Sequence, residues 1–161
     1  MPLPTADIIM PSISSLVNTL QTDFSQFQFI EGDISHWSHT KNTIFYATND
    51  PHIEWVLLHE LGHACLHHAD YQRDIELLAM ERDAWHHATT VLAPAYNLVI
   101  DPDFIEDHLD TYRDWLHAKS TCPCCTLTGV EVQKQQYRCL GCQHTWKTNE
   151  GTQTRVHRYS A

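Results

Sequence analysis

From Ser12 to Thr22 the apolar residues fall at Ile13, Leu16, Val17 and Leu20, the spacing of a helix with one buried face. Ser12, just ahead, predicts a side-chain cap. The period then changes. Phe24, Phe27, Phe29 and Ile30 form an aromatic, β-prone stretch that runs into Glu31-Gly32-Asp33, a turn signal. Asn42 to Thr48 is the best strand candidate, and Asn49-Asp50-Pro51 behind it combines a turn with a helix start. From His52 to about Ala69 three- and four-residue steps return, at Ile53, Val56, Leu57, Leu61, Ala64 and Cys65. A second helix is expected from Arg73 to Ala93, ending at Pro94. A third is expected from Pro102 to Lys119, capped by Asp101, with Phe104, Ile105, Leu109, Tyr112 and Leu116 on its apolar side. After a short linker at Ser120-Thr121, Val130–Arg138 and Gln143–Thr148 read as strands. Pro2, Pro4 and Pro11 predict an irregular start. The pattern divides the chain into a mostly helical body, residues 1–119, and a small module, residues 120–161.

Composition narrows what such a chain can be. Hydrophobic residues make up 42 % of 161 positions, enough to bury a core in one domain with an appendage. No apolar run approaches the roughly 20 residues of a membrane span, so no membrane partner is expected. Met1–Ser12 contains no Lys or Arg, so neither a secretory signal nor a transit peptide is expected, and the chain reads as cytoplasmic. The body carries 18 Asp and Glu against 5 Lys and Arg, which argues against broad phosphate binding; the small module carries 2 against 5. Of six cysteines, Cys65 stands alone and the other five lie between 122 and 142, a crowding that points to metal rather than to a disulfide framework.

Residues 59–63 read His-Glu-Leu-Gly-His. On a helix, residues i and i+4 project from one face, so His59 and His63 can offer imidazole nitrogens to one metal ion. Glu60, one position on, sits where it can take a proton from water activated by that metal. A catalytic zinc takes three protein ligands and keeps one position open. Glu81 and Asp83, 18 and 20 residues after His63, are both candidates for the third; two positions apart on a helix, they cannot face the metal equally well. His67 and His68 read as outlying or surface residues, and Cys65 as a small core residue. An oxyanion donor would come from His87, Tyr96 or Tyr46. The strand ahead of the motif, Thr43–Thr48, is a candidate to pair with an extended substrate.

Cys122-Pro-Cys-Cys125 and Cys139-Leu-Gly-Cys142 are two CxxC knuckles separated by 13 residues, the pattern of a closed Cys₄ zinc ribbon. Such a site is structural, because no coordination position stays open. Cys124 is the extra thiol, and the CxxC spacing favours Cys122 and Cys125 over a pairing through it. Tyr137, Trp146 and Tyr159, interleaved with Arg138, Lys147, Arg155 and Arg158, either fill the small core or offer a stacking surface for single-stranded DNA or a protein partner.

The stretch His59-Glu-Leu-Gly-His-Ala-Cys-Leu-His-His68, followed by Glu81-Arg-Asp-Ala84 and Leu92-Ala-Pro94, resembles the ImmA/IrrE metallopeptidases over roughly residues 24–100. Asp83 stands where that family's pattern has a second Glu, and Trp85 and His87 where Asn and Phe are common. The resemblance implies an α+β, minimal zincin-like fold: a short antiparallel sheet packed on the active-site helix, with a mostly helical C-terminal half. It implies Glu81, three residues before Ala84, as the third ligand. It implies a zinc endopeptidase acting on a protein substrate, such as a transcriptional repressor, with a catalytic zinc; the cysteine knuckles add one structural zinc to the expectation. A zincin followed by a zinc ribbon is also similar to the SprT-like DNA–protein crosslink proteases, although His59–His68 and Glu81–Ala84 fit the ImmA/IrrE pattern better. A different class of reading is a DNA- or protein-binding regulatory module whose zincin site is weak or dormant.

Overall fold

The computed structural model describes residues 12–161; the irregular start expected at Pro2, Pro4 and Pro11 lies outside them. The chain forms two units, Met1–His67 and His68–Ala161. Together they make an α+β protein. Among the described residues no helix is long and apolar enough to cross a membrane.

The first unit opens with α1, Ile13–Asp23. Ser12 caps it as expected, its hydroxyl accepting the Ser15 N–H at 3.3 Å, and Leu16, Val17 and Leu20 are its buried stripe. Three short strands follow: β1, Gln28–Glu31; β2, His36–Ser38; and β3, Thr43–Tyr46. The sheet order is β1-β3-β2. The expected antiparallel pairing is that of β2 with β3, while β1 joins β3 in parallel. β2 was not anticipated from the sequence. Three residues, His-Trp-Ser, are too short to show a period, and only their pairing with β3 makes them a strand.

Helix α2, Ile53–Cys65, packs on β2 and β3. Nine of its thirteen residues are buried, so its apolar surface extends most of the way round, as in a helix placed at the middle of a fold. Its start is set by Asp50, whose carboxylate accepts the His52 N–H at 2.8 Å.

The second unit begins with α3, Asp74–His87, which continues as a π-helical turn, Ala88–Leu92, and a short α4, Ala93–Ala95. The helix thus runs through Pro94 instead of ending there. Two causes of the wider turn are visible. The hydroxyls of Thr89 and Thr90 bond back to the carbonyls of Trp85 and His86, at 3.0 and 2.7 Å, and Pro94 has no N–H to donate. Helix α5, Pro102–Ser120, is capped by Asp101, which accepts the Asp103 N–H at 3.0 Å. It packs on α3 through Trp85, whose ring lies edge-on to Phe104 and His108 at 5.8 and 5.4 Å.

The same unit closes with an antiparallel sheet of four strands in sequence order: β4, Gly129–Gln133; β5, Gln136–Cys139; β6, Thr145–Thr148; and β7, Arg158–Ser160. The expected single strand Val130–Arg138 is therefore a hairpin. Its turn carries no glycine or proline. Instead Gln135 takes a left-handed φ of 61°, and the Glu131 carboxylate accepts its N–H at 2.8 Å. Tyr137 and Trp146 stack at 5.7 Å and form the core of this sheet with Cys122 and Cys139. Gly129 is required where it stands: a Cβ there would collide with the Trp146 ring and lie 2.9 Å from the Arg138 carbonyl oxygen.

Candidate metal centres

In the first unit, α2 places His59 and His63 one turn apart on a buried face, 5 % and 7 % exposed. Their Nε2 atoms face one another at 3.1 Å. Two nitrogens bound about 2.0–2.1 Å from a tetrahedral metal lie about 3.3 Å apart, so the pair is spaced as zinc ligands are. Glu60 is half-buried, and its Oε2 accepts the backbone N–H of Trp37 in β2 at 2.8 Å. No sequence signal could have named Trp37, because the donor is main chain and its side chain is irrelevant to the bond.

The strand expected to pair with substrate, Thr43–Thr48, forms as β3, Thr43–Tyr46, which is flanked by β1 and β2 and has no free edge. The strand with an open edge beside α2 is β2, since β3 occupies only one of its sides.

Cys65 is half-buried, and burial pushes its thiol above the ordinary range, as suits a core residue rather than a nucleophile. His67, just past α2, is exposed with a left-handed φ of 55°. Tyr46, at the end of β3, is half-exposed; burial, then the Glu31 charge, raises its hydroxyl above the usual value.

In the second unit the two carboxylates left open by the sequence have different surroundings. Glu81 is 6 % exposed on α3. Asp83 is at the surface, paired with its neighbour Arg82 at 2.8 Å. The two-residue step on a helix has turned one inward and the other outward. His87 is at the last turn of α3 and Tyr96 follows α4, both half-exposed.

The four cysteines Cys122, Cys125, Cys139 and Cys142 converge, their sulfurs all within 4.8 Å of one another. Cys122 and Cys142 lie 3.7 Å apart, Cys125 and Cys139 3.4 Å. Zinc–sulfur bonds of about 2.3 Å imply tetrahedral edges of about 3.8 Å, so the donor set fits a closed metal site. The N–H groups of Cys124 and Cys142 point at the sulfurs of Cys122 and Cys139, at 3.4 and 3.5 Å. Cys124 itself is exposed and stays outside the group. In the chain without metal the thiols differ. The Cys142 N–H is the largest influence on Cys139 and brings it down to about 7. For Cys142 the His144 N–H favours the thiolate, but burial and the neighbouring thiols prevail and push it up to about 12. This arrangement is compatible with the expected zinc ribbon.

The model of the IrrE N-terminal-like domain, a peptidase family, matches residues 20–136. The chain belongs to this family. The match spans the His-Glu-Leu-Gly-His helix, Glu81, and the first cysteine knuckle of this IrrE-like chain. Family membership supports a metallopeptidase role, with candidate metal-holding groups in both parts of the chain. No curated protein and no solved structure matches it.

A second feature of this IrrE-like chain escaped the sequence reading. Asp74 and Lys119, each 1 % exposed, form an ion pair at 2.8 Å, and the Tyr137 hydroxyl donates to the same Asp74 Oδ2 at 2.6 Å. The Lys119 ammonium also sits 4.5 Å above the Trp115 ring. Burial, then the bond to Asp74, hold the Tyr137 hydroxyl far above its ordinary range, so it remains a donor.

Proposed function

We propose that the chain is a zinc-dependent endopeptidase in which His59, His63 and Glu81 hold the catalytic ion and Glu60 is the general base. The observation that carries this reading is the pair of buried imidazoles, Nε2 to Nε2 at 3.1 Å, with a carboxylate on the adjacent position. Glu81, a buried carboxylate of the second unit, is the candidate for the third position, and the exposed Asp83 is not. When bound, zinc supplies a Lewis acid and a water whose pKa falls from 15.7 to about 7. Glu60 takes a proton from the attacking water and delivers it to the leaving amine. β2, the edge strand beside Glu60, is the strand an extended peptide would pair with, outside the Trp37 N–H that Glu60 takes, so recognition rests on main chain more than on side chains. The substrate is a protein, in line with a regulatory target such as a repressor.

A second, structural zinc is assigned to Cys122, Cys125, Cys139 and Cys142 in a zinc ribbon. A partner at this ribbon would meet Arg138, Lys147 and Tyr159, which are exposed, and not Tyr137 or Trp146, which are buried.

The test is cleavage of a denatured peptide library read by mass spectrometry, comparing the unaltered chain with Glu60→Gln. The expected result is loss of about a hundredfold or more in rate with the metal retained. Equal cleavage by the Glu60→Gln chain would sink the peptidase reading and favour a binding module with a dormant site.

A further inference from the structure

Helix α3 is held at its first turn by the cysteine-bearing sheet and by Lys119 at the end of α5. Asp74, its first residue, accepts hydrogen bonds from Lys119 Nζ at 2.8 Å and Tyr137 Oη at 2.6 Å. The Asp74 N–H donates to Glu131 of β4 at 2.6 Å, and the Arg73 guanidinium donates to the Glu131 carbonyl. The donors are tied to the metal knuckles. Tyr137 is two residues before Cys139, and Lys119 is three before Cys122. The Lys119 carbonyl accepts the Trp146 indole N–H at 2.8 Å, and Trp146 stacks on Tyr137.

Asp74 and Glu81 are seven residues apart. At 100° per residue, seven steps return to within about 20° of the starting direction, so both carboxylates lie on one stripe of α3, about 10 Å apart along it. Both are buried. A helix is stiff along this distance, so whatever sets the rotation of α3 at Asp74 sets it at Glu81. A turn of ~20° about the helix axis moves an atom ~5 Å off axis by almost 2 Å. Metal–ligand distances tolerate about 0.2 Å.

We propose that the Cys₄-bearing sheet is a positioning element for the catalytic metal ligand: directly through Tyr137, and through Lys119 at the end of α5, which Trp146 holds by its carbonyl, it clamps Asp74 and so sets the rotation of the helix that carries Glu81. The buried ion pair fits this role. Two charges taken out of water contribute little net stability, but they are satisfied in one geometry only, so they specify register. Filling the structural site orders Tyr137, Tyr137 orders Asp74, and the affinity of the His59–His63–Glu81 set for its ion rises as a result. The inference rests on Glu81 being a ligand.

The experiment uses the full chain with Co²⁺ as the probe, because thiolate-to-cobalt charge transfer reports the Cys₄ group separately from a nitrogen–oxygen site. In Tyr137→Phe the thiolate band is expected to persist while affinity at the second site falls about tenfold or more, the size of effect seen when a ligand's supporting partner is removed. A change under twofold, with the thiolate band intact, overturns the proposal. Glu81→Gln separates the two ideas. If Glu81→Gln leaves the second-site affinity unchanged, the ligand assignment itself fails; if it lowers affinity while Tyr137→Phe does not, only the clamp fails. Should Tyr137→Phe not fold, hydrogen exchange of the unaltered chain decides. Amides of residues 76–84 are expected to gain about tenfold protection as the thiolate band saturates, and no gain overturns the clamp.

Discussion

The Oε2 atom of Glu60 lies 2.8 Å from the main-chain nitrogen of Trp37 and accepts its N–H, tying the carboxylate of α2 to the edge strand β2. Strand and carboxylate are thereby held in one arrangement. A peptide paired with β2 would meet a carboxylate already oriented by that strand.

Trp37→Pro removes this donor without removing a bond of the β-ladder, since the Trp37 N–H points to Glu60 and proline is tolerated on edge strands. It also removes the indole that lies edge-on to Phe27 at 5.5 Å, so Trp37→Ala is the control. A hydrogen bond to a charged group contributes about 1.5–3 kcal/mol. Trp37→Pro is therefore expected to lower kcat about tenfold or more below Trp37→Ala, with metal content unchanged. Equal kcat in the two variants contradicts a role for the Trp37 N–H in orienting Glu60.

Metal analysis checks the two-site assignment. The purified chain is expected to hold two zinc ions; His59→Ala combined with His63→Ala, and Cys139→Ser separately, are each expected to hold one. Cys139→Ser is also expected to lose sheet signal, because metal bound at the Cys₄ group would add its binding energy to the folding of the sheet. Retention of both ions in either variant would rule out the corresponding site.

Glu81 and Asp83 should respond in opposite ways to truncation. Asp83 is half-exposed, and its pairing with Arg82 is a surface ion pair, a type that contributes about 0–1 kcal/mol. Asp83→Ala is expected to change stability by less than about 0.5 kcal/mol and leave metal affinity alone. Glu81→Ala is expected to abolish tight binding at the histidine site. Isothermal titration with zinc reads both, and a loss of affinity in Asp83→Ala would reverse the assignment.

Binding at the Cys₄ group should depend steeply on pH. Metal takes thiolates, so protons bound in the free chain must leave. Cys142, raised to about 12, is protonated at neutral pH, and Cys125 is raised as well: the Leu127 N–H favours its thiolate, but the Cys139 thiol and burial outweigh it. Cys139, lowered to about 7, has lost its proton in part at that pH. At least about two protons are displaced per ion, so affinity is expected to fall about a hundredfold as pH drops from 8 to 7. Competition with a chelator at several pH values measures the slope, and a slope below one proton contradicts the thiol assignments.

Lys119→Met leaves Asp74 charged in a buried place with the Tyr137 hydroxyl as its remaining side-chain donor. Breaking one side of a buried pair costs about 3–5 kcal/mol, whereas Lys119→Met with Asp74→Asn removes both charges and should cost less. Urea unfolding of the single and double variants reads the difference.

The legibility of this chain follows the range of the interactions involved. Spacing along one helix is local, so His59 and His63 could be placed on one face, with Glu60 one position on, from five residues, and the caps at Ser12 and Asp101 from single side chains. The knuckles Cys122–Cys125 and Cys139–Cys142 were equally local, because a tight turn presents both thiolates of each. A helical period also limited Glu81 and Asp83 to different faces. Which face is buried depends on packing, and only the tertiary structure shows Glu81 inside and Asp83 paired with Arg82 at the surface. The same holds for β2, whose three residues become a strand only against β3, and for the hairpin at Gln135, whose left-handed turn is held by a side chain four residues away. Asp74, Lys119 and Tyr137 are 45 and 18 residues apart along the chain, and nothing in their local sequence distinguishes a buried carboxylate or ammonium from the solvated ones around it. What a residue is next to in sequence determined the candidate metal-binding residues; what it is next to in space decided which carboxylate faces inward, which strand lies at the sheet edge beside α2, and what holds the first turn of α3.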